Sequence, residues 1–525
     1  MLYNFKWLEP GQVFPPLREQ KRIERYRQNA MLFDGDHFDD PSFRNHDDAC
    51  EHGIALYLKC AERISRVIGN FDEVISFPTL LNYQRLMTLK MADLVCGEHP
   101  SISGATPEEN SVIGDIRDHI DFDARCYSTV IDISRYGDAI WRMYKGEDGK
   151  YTFTCWDPTQ WYPVVAQDGT NSIIAHCLCW RDNVSNDPDK SDWRLHVQIH
   201  RTDRASIGYY EQREYMMNSS GNAIIKQIGS KKVPTGLDRC AVQHIKAFST
   251  TNSVYGYDDY MPLDSILAEI MARVGQISCI LDKHADPNIT GPTSMLQIDP
   301  VTGEYHLATG KFYAVSPGEE QPKYMTWDGQ LSAAFKQLEF LINQLYILSE
   351  MGAALLGSQD GSSQAISGTA MRFKMVNPLA KARRVANSLT RPTRQLFSSL
   401  SMTSDNGKIP YSKISVFWSD GLPDDPRENV EICKLATGAT KMMPLEKGIM
   451  EYFSRSNEEA KQWIEQIQEE TKNQMELQQQ FNQATAPQDP NKPGPQDGTG
   501  VNAAKKGSKT GLANFHSSTN GGAEK

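Results

Sequence analysis

Acidic residues and histidines cluster near the start of the chain. The cluster contains Asp34, Asp36, His37, Asp39 and Asp40, followed by His46, Asp47 and Asp48. Carboxylates and imidazoles bind divalent metals, so this pattern raises the hypothesis of a metal-dependent nuclease. Asp-rich segments are more often solvated loops. We therefore predict no metal site here and keep the nuclease as an alternative function.

Two further patterns fall short of catalytic chemistry. His196 and His200 are four residues apart, but their segment alternates like a strand and lacks the glutamate of a zinc-protease helix. The sequence contains no G-x-x-x-x-G-K-[ST] segment, and Gly146 to Thr152 is predicted to form a hairpin turn. We predict that the chain is not an enzyme and uses no cofactor.

A polar segment and a basic segment follow one another in the second half of the chain. Gly357 to Gln364 contains no apolar residue and is predicted to be a mobile loop. From Thr369 to Leu400 the chain carries basic residues and no acid. In a protein of net charge −11, this indicates a nearby polyanion or acidic neighbour, with a solvated helix face as the alternative. Pro378 and Pro392 are predicted to kink or break a helix here.

Two amphipathic helices precede these segments. Apolar residues recur every three or four positions in Asp258 to Ala285 and in Gln330 to Leu356. The acids Asp258 and Asp259 and the nearby Pro262 are predicted to lie at the start of the first helix. Such helices suit a wall shared with neighbouring copies of the chain, and two ordinary core helices are the alternative.

The segment between the two helices, Ile289 to Trp327, is rich in turn formers. Its short β-prone runs, Ser294 to Ile298 and Lys311 to Val315, predict a small hairpin module.

The N-terminal half is predicted to mix helices and strands. Cys50 to Gly69 and Leu80 to Cys96 have helical periodicity, and alternation between Ala139 and Ile245 predicts strands. Arg18 to Arg27 is predicted to be a basic helix that is solvated or faces an acidic neighbour. Beyond Phe481 the composition predicts disorder.

Composition limits the class of protein. The chain of 525 residues is long enough for several domains, and it contains no apolar run long enough to span a membrane. Its ten cysteines form no CxxC pair, so we expect reduced thiols, with Cys177 and Cys179 on one face of a strand.

The ordered series of elements resembles the portal proteins of tailed bacteriophages. Their order of stem helix, small β-type clip, stem helix, tunnel loop and long helix is similar to Asp258 to Leu400. Shorter passages are also similar: Asn82 to Arg85, Lys90 to Pro100, Tyr136 to Ala139, Trp156 to Pro158, Ser253 to Gly256 and Ile366 to Lys374. Downstream, Asp424 to Lys434, Leu445 to Phe453 and Asn457 to Glu470 resemble the crown helices. The resemblance covers most of residues 50–480.

The resemblance implies an α+β, multi-domain fold with an α/β wing, a two-helix stem, a small β-containing clip and a helical crown. The implied boundaries are 1–257 for the N-terminal arm and wing, 258–285 for the first stem helix, 286–328 for the clip, 329–356 for the second stem helix, 357–367 for the tunnel loop, 368–425 for the kinked long helix and wing return strand, 426–481 for the crown and 482–525 for a disordered tail.

The resemblance also implies function and partners. About a dozen copies would form a ring at one capsid vertex. Duplex viral DNA would pass through it during packaging and ejection. Terminase would dock on the clip side, and head–tail adaptors would replace it. Major capsid protein and scaffolding protein are further implied partners, and no membrane is involved. The protein would be assembled in the host cytoplasm and reside in the virion. Another minor head or scaffold protein is an alternative.

The resemblance places candidate site residues in two groups. The tunnel loop nearest the DNA would contain Ser358, Gln359, Asp360, Ser362, Ser363 and Gln364. Contacts to DNA phosphates or to acids of the adjacent subunit would come from Arg372, Lys374, Lys381, Arg383 and Arg384. We favour subunit pairing for most of these basic residues, because the long helix would lie deep in the wing. A mostly acidic subunit can guide DNA without gripping it, since each neutralised phosphate adds affinity.

Overall fold

The protein comprises two compact units, Met1–Pro423 and Asp424–Lys525, in a computed structural model. The structure describes residues 1–35, 81–185, 191–203, 207–285, 289–290, 296–298, 305–307, 318, 321, 323–324, 331–356, 373–404, 407–419, 426–438, 442–453 and 457–484.

The described part of the first unit contains the following helices: α1 (Leu17–Asp34), α2 (Tyr83–Cys96), α3 (Pro107–His119), α4 (Phe122–Tyr136), α5 (Asp264–Ala285), α6 (Leu331–Leu348), the four-residue α7 (Gly352–Leu355) and α8 (Val376–Leu400). The larger strands are β2 (Asp138–Lys145), β3 (Tyr151–Trp156), β4 (Trp161–Val165), β5 (Ile173–Asn183), β6 (Trp193–Thr202), β7 (Gly208–Met217), β8 (Ile224–Pro234) and β9 (Val242–Lys246). The shorter ones are β1 (Ser101–Ser103), β10 (Ile289–Thr290), β11 (Leu296–Ile298), β12 (Tyr305–Leu307), β13 (Lys323–Tyr324) and β14 (Ser415–Phe417). The fold is α+β, as predicted.

Antiparallel sheets organise much of the first unit. Strands β4 to β8 form a five-stranded sheet in sequence order, and β2 lies between β3 and β9 in a three-stranded sheet. Strand β1 pairs with β14, which returns from beyond α8. The predicted alternation between Ala139 and Ile245 is confirmed, because inward-facing residues such as Leu195, Val197 and Ile199 are buried and alternate along β6. The turn at Gly149 is also confirmed, with Gly149 at a φ of 79°.

Two apolar clusters form most of the core. One packs helices α2, α4, α5 and α8 around Trp141 and Phe397. The other covers one face of the five-stranded sheet with residues of the N-terminal arm, including Trp7 and Ile23. Cys177 and Cys179 both belong to the second cluster, as their predicted strand spacing requires.

The first long helix begins six residues later than predicted, at Asp264. Asp258 does not start the helix: its Oδ1 accepts hydrogen bonds from the backbone N–H of Tyr260 (3.0 Å) and Met261 (2.8 Å). Pro262 then lies in the turn that precedes the helix. The 22 residues of α5 span about 33 Å at a rise of 1.5 Å per residue.

The second long helix is interrupted, which the sequence analysis did not predict. Helix α6 ends at Leu348, and Glu350 has a φ of 60° in the left-handed region. Gly352, the first residue of α7, has a φ of 67° and accommodates a second left-handed step. The reversal places Met351 in the core with no exposed surface, and burial of that side chain offsets backbone strain at Glu350.

Neither predicted proline break interrupts α8. Pro378 is the third residue of the helix, where its missing N–H has no helical acceptor to lose. Pro392 lies inside the helix. An internal proline costs about 3 kcal/mol, and the fully buried Leu389, Leu396 and Phe397 on either side hold the helix in place.

Short paired strands lie between α5 and α6, in agreement with the predicted hairpin module. Strand β10 pairs with β13, and β11 pairs with β12, both antiparallel. The predicted run Lys311 to Val315 lies outside the described residues, as does the predicted helix Cys50 to Gly69.

The second unit is helical in its described part. Its helices are α9 (Pro426–Thr437), α10 (Leu445–Tyr452) and α11 (Asn457–Ala484), close to the three predicted ones. Helix α11 continues three residues past Phe481, where disorder was predicted to begin. Residues 485–525 lie outside the described residues.

The prediction of a solvated basic helix at Arg18 to Arg27 is wrong for two arginines. Arg22 is buried, and its guanidinium donates to Glu19 and to the backbone carbonyls of Pro158 (3.1 Å) and Trp161 (2.6 Å). Arg25 pairs with acids before and at the start of α5. Helix α1 is thus an integral part of the first unit.

A buried polar network runs from α1 into the sheets. Asp138 accepts a hydrogen bond from the Tyr26 hydroxyl, and its Oδ1 lies 2.5 Å from Nε2 of His244. Burial alone would raise the pKa of Asp138, but His244, Tyr26 and the backbone N–H of Gly256 lower it below the ordinary value. The ring of Trp161 packs on His244 and donates from Nε1 to Nδ1 of His176 (3.2 Å).

The buried imidazole of His176 makes stability depend on pH. Burial and the neighbouring His244 lower the pKa of His176 from 6.5 to about 3. The unfolded chain therefore binds more protons between these values, so stability is complete above pH 6.5 and falls as the pH drops toward 3.

We expect His176→Asn, which keeps an acceptor for Trp161, to weaken this pH dependence. The slope of unfolding free energy between pH 6 and 4 should become shallower by about 1 kcal/mol per pH unit. Urea unfolding at several pH values measures it, and His99→Asn, at a side chain that is 68% exposed, is the control. An unchanged slope in His176→Asn would contradict the assignment.

Candidate functional site

The candidate residues predicted from the sequence divide into described and undescribed groups. Ser358, Gln359, Asp360, Ser362, Ser363, Gln364 and Arg372 lie outside the described residues. Lys374, Lys381, Arg383 and Arg384 are described, and the last three lie on α8. The predicted roles of all these residues in contacting DNA or a neighbouring subunit stay predictions.

Lys381 lies at a buried junction of several elements. Its Nζ is 2.8 Å from Oδ1 of Asp259 and donates to the backbone carbonyl of Ser349 (3.1 Å). The other carboxylate oxygen of Asp259 accepts from the hydroxyl of Ser134 on α4 (2.7 Å). One ion pair therefore joins α4, the segment before α5, the end of α6 and α8.

Arg384, one turn further along α8, makes a second ion pair. Its guanidinium is 2.6 Å from Oε2 of Glu350, the residue at which the second long helix reverses. Both side chains are nearly half exposed, at 46% and 45%. Lys374 and Arg383 are exposed as well. Lys381 and Arg384 thus find acidic partners within their own chain, a pairing that the sequence analysis did not consider.

The start of α5 is held by a third basic residue. Arg25 of α1 contacts Asp258 (3.0 Å) and Asp264 (2.6 Å). Burial favours the neutral guanidine, but the two carboxylates raise the pKa of Arg25 above its ordinary value. We call the following residues the polar junction: Arg25, Asp258, Asp259, Asp264, Ser349, Glu350, Lys381 and Arg384.

A small cavity of about 90 Å³ lies at this junction. Its polar lining includes Ser134, Asp259, Ser349, Glu350, Lys381 and Arg384. The volume suits a few water molecules rather than a nucleotide. The acids that line it are each paired with a basic side chain, so the arrangement suits structural support rather than acid–base chemistry.

The sequence analysis missed most of the junction. It placed Asp258 and Asp259 at a helix start, did not identify Arg25 as a partner of Asp258, and assigned no role to Ser349 or Glu350. The available signal was two adjacent acids next to an apolar helix, which are costly to bury unless basic partners come from elsewhere.

The catalytic candidates are not brought together. His196 and His200 lie on strand β6, as predicted, where His196 stacks on Trp180 and His200 stacks on Tyr210. Among the residues that the structure describes, no group of three or more His, Cys, Asp or Glu could hold a metal ion. Asp36 to Asp48 of the acidic cluster lie outside those residues.

Apolar side chains remain exposed on α6 in the single chain. Helices α5 and α6 pack against each other. Some of the recurring apolar residues that were predicted to face a neighbouring copy are therefore buried within the chain. Leu345 is fully buried there. Phe335, Phe340, Ile347 and Leu348 are 50–64% exposed. None of the described helices is both long and apolar enough to cross a bilayer.

The two ion pairs of α8 should differ in their contribution to stability. Lys381→Met leaves the carboxylate of Asp259, which is only 18% exposed, without its partner and should lower the unfolding free energy by about 2 kcal/mol. Arg384→Met removes an exposed pair and should cost less than about 1 kcal/mol. Urea unfolding followed by tryptophan fluorescence provides the measurement. Adding Asp259→Asn to Lys381→Met should recover much of the loss, and equal effects of the two single variants would exclude this interpretation.

Comparisons with known proteins place the chain in a family. No functionally curated protein matches the sequence. Solved structures with similar chains include the virion of a native gene transfer agent particle, at 12% identity and a TM-score of 0.41 over 75% of this chain and 92% of that chain. The neck of a native gene transfer agent particle, computed with C12 symmetry, gives 12% identity and a TM-score of 0.40 over the same shares. The family model for "Phage portal protein, SPP1 Gp6-like" matches residues 79–200 and 318–473, more than half of the chain. The chain therefore belongs to the phage portal protein family of the SPP1 Gp6-like type.

Proposed function

We propose that this protein is the portal subunit of a phage particle. Copies form a ring at one capsid vertex, and duplex DNA passes through the ring during packaging and ejection. Terminase docks on the ring during packaging, and head–tail adaptor proteins replace it afterwards. The observation that carries this proposal is the family match, which includes α2 to α4 and wing strands in its first segment and α6 to α11 in its second.

The exposed apolar side chains of α6 support ring formation. Phe340 and Ile347 share one side of α6, and Phe335 and Leu348 are exposed at the edges of its packed face. The packed face carries Leu338, Leu341, Ile342 and Leu345, which contact the core. Exposed aromatic and aliphatic side chains that lie on one helix are typical of protein–protein interfaces. A neighbouring copy of the same chain is the occupant that a closed ring supplies.

The distribution of charge supports passage of DNA rather than tight binding. The chain has a net charge of −11, and Lys381 and Arg384 are paired with acids of the same chain. Fewer free basic groups mean fewer released counterions and a weaker grip on the duplex. Lys374 and Arg383 are exposed on the described surface, and in this proposal they meet phosphates or a neighbouring subunit.

Ring assembly should depend on the exposed apolar side chains of α6. Phe340→Glu puts a charge into the proposed contact between copies, so closed rings should become rare in negative-stain images and sedimentation should show smaller species. Phe340→Leu keeps an apolar side chain and should retain rings. Abundant rings in the glutamate variant would place the contact elsewhere.

Packaging should depend on the polar segment Gly357 to Gln364, proposed as the tunnel loop. Shortening this segment should leave rings intact while the amount of packaged DNA per particle falls, because the loop lies nearest the duplex. Nuclease-protected DNA in purified particles provides the measurement. Deletion of eight residues of the tail, Gly498 to Lys505, is the matched control. Normal packaging by the shortened loop would refute its assignment.

A further inference from the structure

Two cysteines from different helices meet in the core of the first unit. Cys96 is the last residue of α2, and Cys126 lies in the second turn of α4. Their sulfur atoms are 3.4 Å apart, so no other atom lies between them. Cys126 is fully buried and Cys96 is 6% exposed.

This separation is close to what a covalent bond requires. A disulfide has a sulfur–sulfur distance of about 2.05 Å, so the two atoms need to approach by little more than 1 Å. Cys96 is at a helix end, where the chain adjusts more easily than in mid-helix. We propose that Cys96 and Cys126 form an intrachain disulfide when the folded protein meets a small-molecule disulfide such as glutathione disulfide. The bond would tie the end of α2 to α4, and its formation does not depend on the portal assignment.

The structure suggests which sulfur reacts first. Cys96 is followed by the exposed residues Gly97 and Glu98, so it is the member of the pair closer to solvent. Its thiolate would attack one sulfur of glutathione disulfide and release one glutathione. The sulfur of Cys126 would then attack Cys96 and release the second glutathione. Both protein thiol protons pass to the released glutathiones, the protein loses two electrons and glutathione disulfide gains them.

The reaction should be slow near neutral pH. The hydrogen bond with Cys96 and burial raise the pKa of the Cys126 thiol well above its ordinary value. Because the thiolate is the attacking species, the closing attack of Cys126 on the Cys96–glutathione disulfide should become about tenfold faster for each pH unit below that pKa.

Other described cysteines provide internal comparisons. The sulfur of Cys155 lies 3.5 Å from the hydroxyl of Thr129 and from the carbonyl of Arg125. Cys177 and Cys179 are two residues apart on one strand, a spacing of about 6.6 Å along the backbone. Neither arrangement holds two sulfurs from separate elements against each other.

The test is oxidation of the purified full-length protein by glutathione disulfide under native conditions at pH 7, 8 and 9. We expect the intact mass to fall by about 2 Da. Trypsin should release Met91–Arg117 linked to Cys126–Arg135, a product that dithiothreitol separates. Cys155→Ser should still form the link, whereas Cys126→Ser should form none and should instead retain glutathione on Cys96.

Three outcomes would overturn the proposal. The pair could remain reduced at pH 9, it could end as a glutathione adduct in the unsubstituted protein, or the link could form only after urea is added. In each case the two thiols would be in contact through a hydrogen bond and would not form a redox pair. Native circular dichroism of Cys155→Ser and Cys126→Ser checks that the variants fold.

Discussion

The buried ion pair between Lys381 and Asp259 is the contact on which the helical arrangement of the first unit depends. A charge in this position is unfavourable unless its hydrogen bonds are all satisfied. The carboxylate also needs Ser134, and the ammonium also needs the carbonyl of Ser349. Helices α4, α6 and α8 and the segment before α5 must therefore be in place together. An apolar contact would tolerate small displacements of these elements, whereas this pair does not.

The N-terminal arm strengthens the same region from the other side. Arg25 binds Asp258 and Asp264, while Ile23 of the same helix packs in the cluster that covers the five-stranded sheet. Helix α1 therefore links the sheet to the start of α5. Asp138, Tyr26 and His244 continue this link through hydrogen bonds into the three-stranded sheet. Directional polar contacts thus join the sheets to the start of α5.

Local patterns predicted the elements better than they predicted the junction. Alternation located the wing strands, and apolar periodicity located α2, α5 and α6, because burial of one face leaves a direct mark on the sequence. Asp258 and Arg25 contact each other but are 233 residues apart in the sequence, so no local pattern could reveal the pair. The helix breaks at Glu350, which is neither proline nor glycine, so the sequence gives no local signal of the break. The break depends instead on burial of Met351. Pro392 was misjudged because tertiary packing on both sides outweighs its local cost.

Helices α5 and α6 form a hairpin that is anchored at one end. A small tilt at the anchored end therefore produces a larger displacement at the opposite end. The ionic contacts lie at the first residues of α5 and the last residues of α6, while the short paired strands lie at the opposite end. A rod of about 33 Å that tilts by about 5° at its base moves its tip by about 3 Å. A sub-ångström adjustment of the carboxylates around Lys381 would thus be amplified several-fold at the far end, as in a mechanical lever.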